Sequence, residues 1–203
     1  MSTLIKNAYL VPGAGQDHRP DADILIEDDR IAAIGVDLGA GKADEVIDAS
    51  DRIVLPGFVN AHTHSNESFE QGFYDALPLE VWLLHKYPPF AVKPLPERVH
   101  YLRTMLLAIE CVRSGITTVQ DDLINRLGET ELFDAGASAY RDIGLRAAIT
   151  ASMGDRDFAE PLPWFDEMLA PELRTELRKL KGKPWREHIA LFERHHAKWN
   201  GAG

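Results

Sequence analysis

The sequence predicts an α/β protein in which a small sheet precedes a parallel sheet built from βαβ units. Three observations predict it. Short apolar runs at hairpin spacing fill residues 1 to about 55. From about residue 56, apolar runs of strand length alternate with helical patterns. The two helical patterns between those strands each close on a glycine, Gly115 and Gly144, where a left-handed residue ends a helix well.

Leu4–Val11 reads as a strand broken by Pro12-Gly13-Ala14-Gly15. Asp23–Glu27 sets Ile24, Leu25 and Ile26 among acids, and Asp28-Asp29 is a tight turn into Arg30–Val36. Gly39, Gly41 and Lys42 make a loop before the short strand Glu45–Asp48. The expected sheet is antiparallel. It has few bulky residues, so more strands are needed to close its core.

Past Pro56-Gly57, Phe58–Ala61 reads as a buried strand. Ser65 to Leu95 is rich in aromatics and prolines. Glu97–Arg113 carries Val99, Leu102, Met105, Leu106, Ile109 and Val112 at offsets of three and four, an amphipathic helix with that stripe toward the core. Ile116–Gln120 is a β-branched strand, Glu129–Ile143 a helix and Leu145–Ser152 a third strand. Pro171–Lys181 and Trp185–Asn200 are two more helices. The chain stops at Asn200-Gly201-Ala202-Gly203, where a helix would hand over to a strand.

The 203 residues include 32 acidic and 22 basic side chains, a formal charge of -10. Phosphate backbones need clusters of Lys and Arg, so nucleic acid is excluded as a main partner. With Cys111 as the one cysteine there is no internal disulfide, which fits a reducing compartment. Cys111 lies mid-helix beside apolar residues and reads as a buried structural thiol. The start, MSTLIKNAYLVPGAG, lacks a signal-peptide pattern, and no run approaches the roughly 20 apolar residues of a membrane helix. A soluble cytoplasmic protein with no membrane partner is expected.

The stretch PGFVNAHTHSNE puts His62 and His64 just past the C-terminal end of a parallel strand. Active sites of parallel β/α folds gather at that end. Alternation along an extended chain points the two rings the same way. Two imidazoles so placed can share a zinc, an iron or a similar ion. An HxH pair alone is a weak signal, since histidines in loops are commonly just solvated. The strand before it and the βα units after it raise its weight.

The segment IDASDRIVLPGFVNAHTH resembles the opening of the amidohydrolase superfamily. DALPLEVWL, CVRSGITTV and YRDIGLRAAI resemble its branch of cytosine and guanine deaminases, adenosine-type deaminases and triazine hydrolases. The resemblance runs from about Leu4 to Asn200. It implies a small β-sandwich over residues 1–55 and, over 56–203, the first β/α units of a metal-dependent (β/α)8 barrel. It implies His62 and His64 as ligands of one divalent metal, zinc or alternatively iron. It also implies metal-activated water attacking a ring or amidine carbon of a small-molecule substrate, so that ammonia or another amine leaves. Further ligands and the proton-moving glutamate and histidine would come from later strands. A whole barrel needs roughly 250 residues, so the barrel is incomplete in this chain.

The resemblance also places substrate contacts. Trp82 stands where adenosine-type deaminases of the family pack a tryptophan on the substrate. Nine residues on, where those enzymes carry a ribose-binding glutamate, stands Ala91. That counts against a nucleoside and favours a smaller substrate. His85 in the same segment is a candidate contact, and Arg156, in a loop after the third strand, could hold an anionic or carbonyl group. Asp121 and Asp122 read as loop acids that cap and solvate. His188, His195 and His196 read as outer polar residues of the last helix.

Two readings stand. One is a hydrolase of non-peptide carbon–nitrogen bonds, a deaminase first. The other is a non-catalytic truncated fragment that binds metal weakly or pairs with another chain. An exposed sheet edge on an incomplete barrel favours a homo-oligomer.

Overall fold

A computed structural model describes residues 1–39, 41, 43–86, 95–123, 130–151, 156 and 164–202. The chain divides into two compact units, Met1–Gly57 and Phe58–Gly203.

The first unit is one five-stranded sheet. β1 (Ser2–Leu10) lies at its centre, antiparallel to β2 (Arg19–Glu27), which pairs antiparallel with β3 (Arg30–Gly35). The Asp28-Asp29 turn joins them, Asp28 sitting in the left-handed region at φ 53. On its other side β1 takes β4 (Glu45–Asp48) and β5 (Ile53–Val54), both parallel to it. The sheet is therefore mixed, not antiparallel as expected. The connection from β3 crosses to the far side of β1 before re-entering, which reverses the direction a hairpin would impose. The core is small: Leu10, Ala22 and Ile24, with Ile5, Ile26 and Val54 packed on them.

The second unit holds β6 (Phe58–Thr63), β7 (Ile116–Leu123) and β8 (Arg146–Ala151), parallel and in sequence order. A 3-10 helix (Ser65–Glu70) and α1 (Leu79–Lys86) follow β6. α2 (Glu97–Arg113) leads into β7, and α3 (Thr130–Ile143) into β8. Each closes through a glycine at φ 76, Gly115 and Gly144. Then come α4 (Phe165–Met168), α5 (Pro171–Leu177) and α6 (Trp185–Trp199). The fifth helix ends at Leu177, short of the expected Lys181. Glu129 and Ser152, expected at the ends of α3 and β8, lie outside the described residues.

Two expectations fail on packing. Phe58 and Val59 of β6 are 56% and 66% exposed rather than buried. Among the described residues β6 pairs only with β7 in its sheet, and its far edge has no partner there. On α2 the stripe Leu102, Leu106, Ile109 and Val112 is exposed, while His100, Thr104, Ala108 and Cys111 are buried. Small side chains allow close approach: Gly136 of α3 comes so near that a Cβ there would lie 3.5 Å from Thr104 Oγ1. The main core gathers Ala108, Cys111, Val119, Tyr140 and Leu145 between the α2–α3 pair and the sheet. A second cluster joins Leu123, Leu132 and Phe133.

α6 docks on α3 through Asp134. Its carboxylate accepts from Trp199 Nε1 at 2.6 Å and Lys198 Nζ at 2.8 Å, and lies 3.5 Å from His195 Nδ1. His195 stacks on Phe133 with ring centroids 4.1 Å apart and is 4% exposed. It was expected among the outer polar residues of this helix. Its position faces α3, where the Phe133 ring and the Asp134 carboxylate give the imidazole an apolar face and an acceptor. Burial pushes its pKa down, with Asp134 opposing.

Candidate metal and active site

β6 delivers His62 and His64 to the C-terminal end of the parallel sheet. Their ring centroids lie 4.7 Å apart with planes 86° apart. The strand does not reach them by plain alternation. Asn60 pairs with Val119 and Thr63 with Asp121, so three steps along β6 face two along β7. This irregularity falls on Ala61 and His62, and such a bulge re-aims side chains. The Asn60 side chain accepts from His62 N at 3.3 Å within it.

His64 Nδ1 lies 2.7 Å from the Asp122 carbonyl oxygen. A carbonyl can only accept, so Nδ1 carries the proton and donates. The lone pair is then on Nε2. A hydrogen bond on one ring nitrogen orients a metal-ligating histidine and presents the other nitrogen to the ion. Among the described residues, no group of three or more His, Cys, Asp or Glu side chains is placed to hold a metal. The donor set fits a divalent ion through two imidazoles only.

Directly after His64 lies a buried polar network. Ser65 N donates to Asp121 Oδ1 at 2.9 Å, and Tyr140 OH donates to Asp121 Oδ2 at 2.9 Å. Ser65 Oγ and Thr104 Oγ1 share a bond of 2.9 Å, and Ser68 Oγ donates to the Ser65 carbonyl at 2.8 Å. Asp121 is fully buried. Burial raises its carboxyl pKa even though the bonds from Ser65 and Tyr140 oppose the rise. Burial and the neighbouring Asp121 charge push the Tyr140 phenol up, so it stays a donor.

The loop reading of Asp121 and Asp122 is thus corrected: both belong to β7, and Asp122 Oδ1 accepts from Thr150 of β8 at 3.2 Å. The signal was present in the alternation of ITTVQDDL. Val119, Asp121 and Leu123 share one face, so Asp121 had to enter the core with its neighbours. Thr104 and Tyr140 carry no such local signal, because they reach Ser65 and Asp121 from other helices.

The other predicted contacts are more scattered. Trp82 is half-buried on α1. His85, on the same helix, is exposed and stacks on Tyr74 with centroids 5.7 Å apart. Arg156 is exposed, and Ala91 lies outside the described residues. Cys111 is buried, and burial raises its thiol pKa, as suits a structural residue.

A parallel β/α sheet with a histidine pair at its strand ends defines the class, and the comparisons place the chain within it. The model of the amidohydrolase family matches residues 53–192, and the chain belongs to that family. It is 37% identical over 181 residues to a 5-methylthioadenosine/S-adenosylhomocysteine deaminase of Thermococcus kodakarensis, covering 89% of this chain and 39% of that protein. It is 34% identical to a 5'-deoxyadenosine deaminase of Methanobrevibacter smithii, covering 84% of this chain and 33% of that one. The chain thus spans well under half the length of these relatives. Among solved structures it resembles a mutant atrazine chlorohydrolase from Arthrobacter aurescens TC1 complexed with zinc and atraton. The TM-score is 0.64 at 27% identity, over 75% of this chain and 36% of that one. An adenosine deaminase from Xanthomonas campestris with bound zinc shares the fold at TM-score 0.68 and 24% identity, over 97% of this chain and 39% of that chain.

Proposed function

We propose that the chain carries the first half of the metal site of a hydrolase acting on non-peptide carbon–nitrogen bonds, one that deaminates a heterocyclic or amidine substrate. The observation that carries this reading is the histidine pair, with rings 4.7 Å apart and His64 Nδ1 tied to a carbonyl. His62 and His64 would hold one divalent ion, zinc before iron, since the solved relatives named above contain zinc. Such an ion supplies Lewis acidity and a nucleophilic water near neutral pH. The pair offers two of the roughly four donors a zinc site takes. Among the described residues no third donor joins them, and the resemblance puts the remaining donors on later strands of the family's barrel.

The relatives' names favour an adenosine-type substrate, whereas Ala91 in place of an acid favours a smaller ring. Trp82 is read as a wall of the pocket, and His85 and Arg156 as polar contacts. Residues 1–55 are read as part of a β-sandwich domain and 56–203 as the opening of a (β/α)8 barrel. The lone, buried, free cysteine suits the cytoplasm. No helix among the described residues is long and apolar enough to cross a membrane. Exposed Phe58 and Val59 on an open sheet edge suit a homo-oligomer. A monodisperse monomer by light scattering would remove that part of the reading.

The second reading, a fragment without activity, is favoured by the two-donor site. Elemental analysis of purified chain beside a His62→Ala, His64→Ala variant separates them. About one zinc or iron per chain, lost in the variant, is expected for a loaded site. Ammonia release from adenosine nucleosides and from aminotriazines then identifies the substrate. Absence of bound metal would leave the fragment reading standing.

A further inference from the structure

We infer that Asp121 is a positioning residue for the metal-binding histidines, acting through the backbone of Ser65. The inference rests on the reading of His62 and His64 as metal ligands. It starts from the irregular pairing of β6 and β7. The ladder slips between Asn60 and Thr63 and resumes with Thr63 opposite Asp121, so main-chain pairing leaves Ala61 and His62 within the slip and stops short of His64. His62 lies within the slip and His64 just beyond the strand.

β7 holds the residues just beyond the strand by two further contacts. The Asp122 carbonyl takes the His64 ring at 2.7 Å. The Asp121 carboxylate takes the next amide, Ser65 N, at 2.9 Å. Successive residues of β7 therefore grip successive residues of the histidine loop. Asp121 is itself pinned by the Tyr140 hydroxyl at 2.9 Å, and Ser65 by Thr104 at 2.9 Å. These anchors come from α3 and α2, both packed in the unit's main core. The effect is to tie the aim of His64 to the packed interior rather than to the open edge strand that bears it. An acid in this place serves because a carboxylate presents two acceptors at once, and two donors converge on it.

The test uses the chain with histidine labelled by 15N, first free of metal and then titrated with zinc. In the unsubstituted chain His64 is expected as the Nδ1–H tautomer and the Ser65 amide as slowly exchanging. Asp121→Ala should release both, giving an averaged His64 tautomer and an exposed Ser65 amide. Zinc affinity should fall about 10-fold, at the low end for groups that orient a ligand. Asp121→Asn should keep both features and the affinity. Its amide oxygen can accept from Ser65 N, and the Tyr140 hydroxyl can turn to accept from its NH2. If Asp121→Ala does not fold, Asp121→Ser carries the same comparison, because its hydroxyl is too short to reach Ser65. A fast-exchanging Ser65 amide in the unsubstituted chain would overturn the inference without any variant. So would a folded Asp121→Ala or Asp121→Ser with His64 signals and zinc affinity unchanged. A fixed His64 in a chain that binds no zinc would support the positioning and overturn the metal reading instead.

Discussion

Replacing Tyr140 by Phe removes one oxygen and nothing else from the most buried polar cluster of the chain. The oxygen donates to Asp121 Oδ2 at 2.9 Å, and Asp121 is fully buried. No solvent can take its place without opening the core around Ala108, Cys111 and Leu145. A hydrogen bond to a charged group is worth about 1.5–3 kcal/mol, and a buried acceptor left without its donor bears that cost. While the carboxylate is ionised, the unfolding equilibrium should shift by about 10–100-fold. Urea denaturation followed by circular dichroism, without metal, measures it.

The pH dependence carries a second check. Burial raises the Asp121 pKa in the folded chain. The folded state therefore binds this proton more readily than the unfolded state. The group's contribution is fully present below the ordinary aspartate range and is lost as pH rises through the raised folded value. The Tyr140 donor favours the ionised form, so Tyr140→Phe raises that pKa further. The variant's deficit should be largest above the raised folded value, where the carboxylate is ionised, and shrink as pH falls through it and the carboxyl takes up its proton. A deficit below about 0.5 kcal/mol, the ordinary scale of surface changes, would refute the reasoning, as would one that grows toward acid.

Two further outcomes are expected. Gly115→Ala should cost about 1–2 kcal/mol, the penalty of a left-handed L-residue, because its φ is 76 and the new Cβ would meet only Phe58 at 3.8 Å. Equal denaturation midpoints would contradict it. The acid side of the stability curve should flatten in His195→Leu. The buried His195 has its pKa lowered by burial, so its contribution is present above the ordinary histidine range and lost as pH falls through the lowered folded value. Asp134 faces it, with Arg194 and Lys198 nearby, and only Asp134 opposes the shift. Thermal midpoints at about pH 7.5 and about pH 5.5 that fall equally in both chains would count against this.

Local pattern alone determined much of this protein. Apolar runs, turn residues and the two glycine stops located β1 to β3, α2, β7, α3 and β8 to within a few residues. These features depend on neighbours in sequence, and PGFVNAHTH with RSGITTV carried the family. What the tertiary structure decided is which surfaces meet. It turned the leucine stripe of α2 outward, because the opposite face carries the small residues Thr104, Ala108 and Cys111 beside His100 and lets α2 and α3 approach closely. It set β4 and β5 parallel to β1 through a crossing that no turn motif announces. It also brought Asp121, Ser65, Thr104 and Tyr140 from four separate elements into one network beneath His64. Sequence spacing cannot reveal such a network. A buried carboxylate is tolerable only when donors converge on it, and here they come from residues up to 56 positions away.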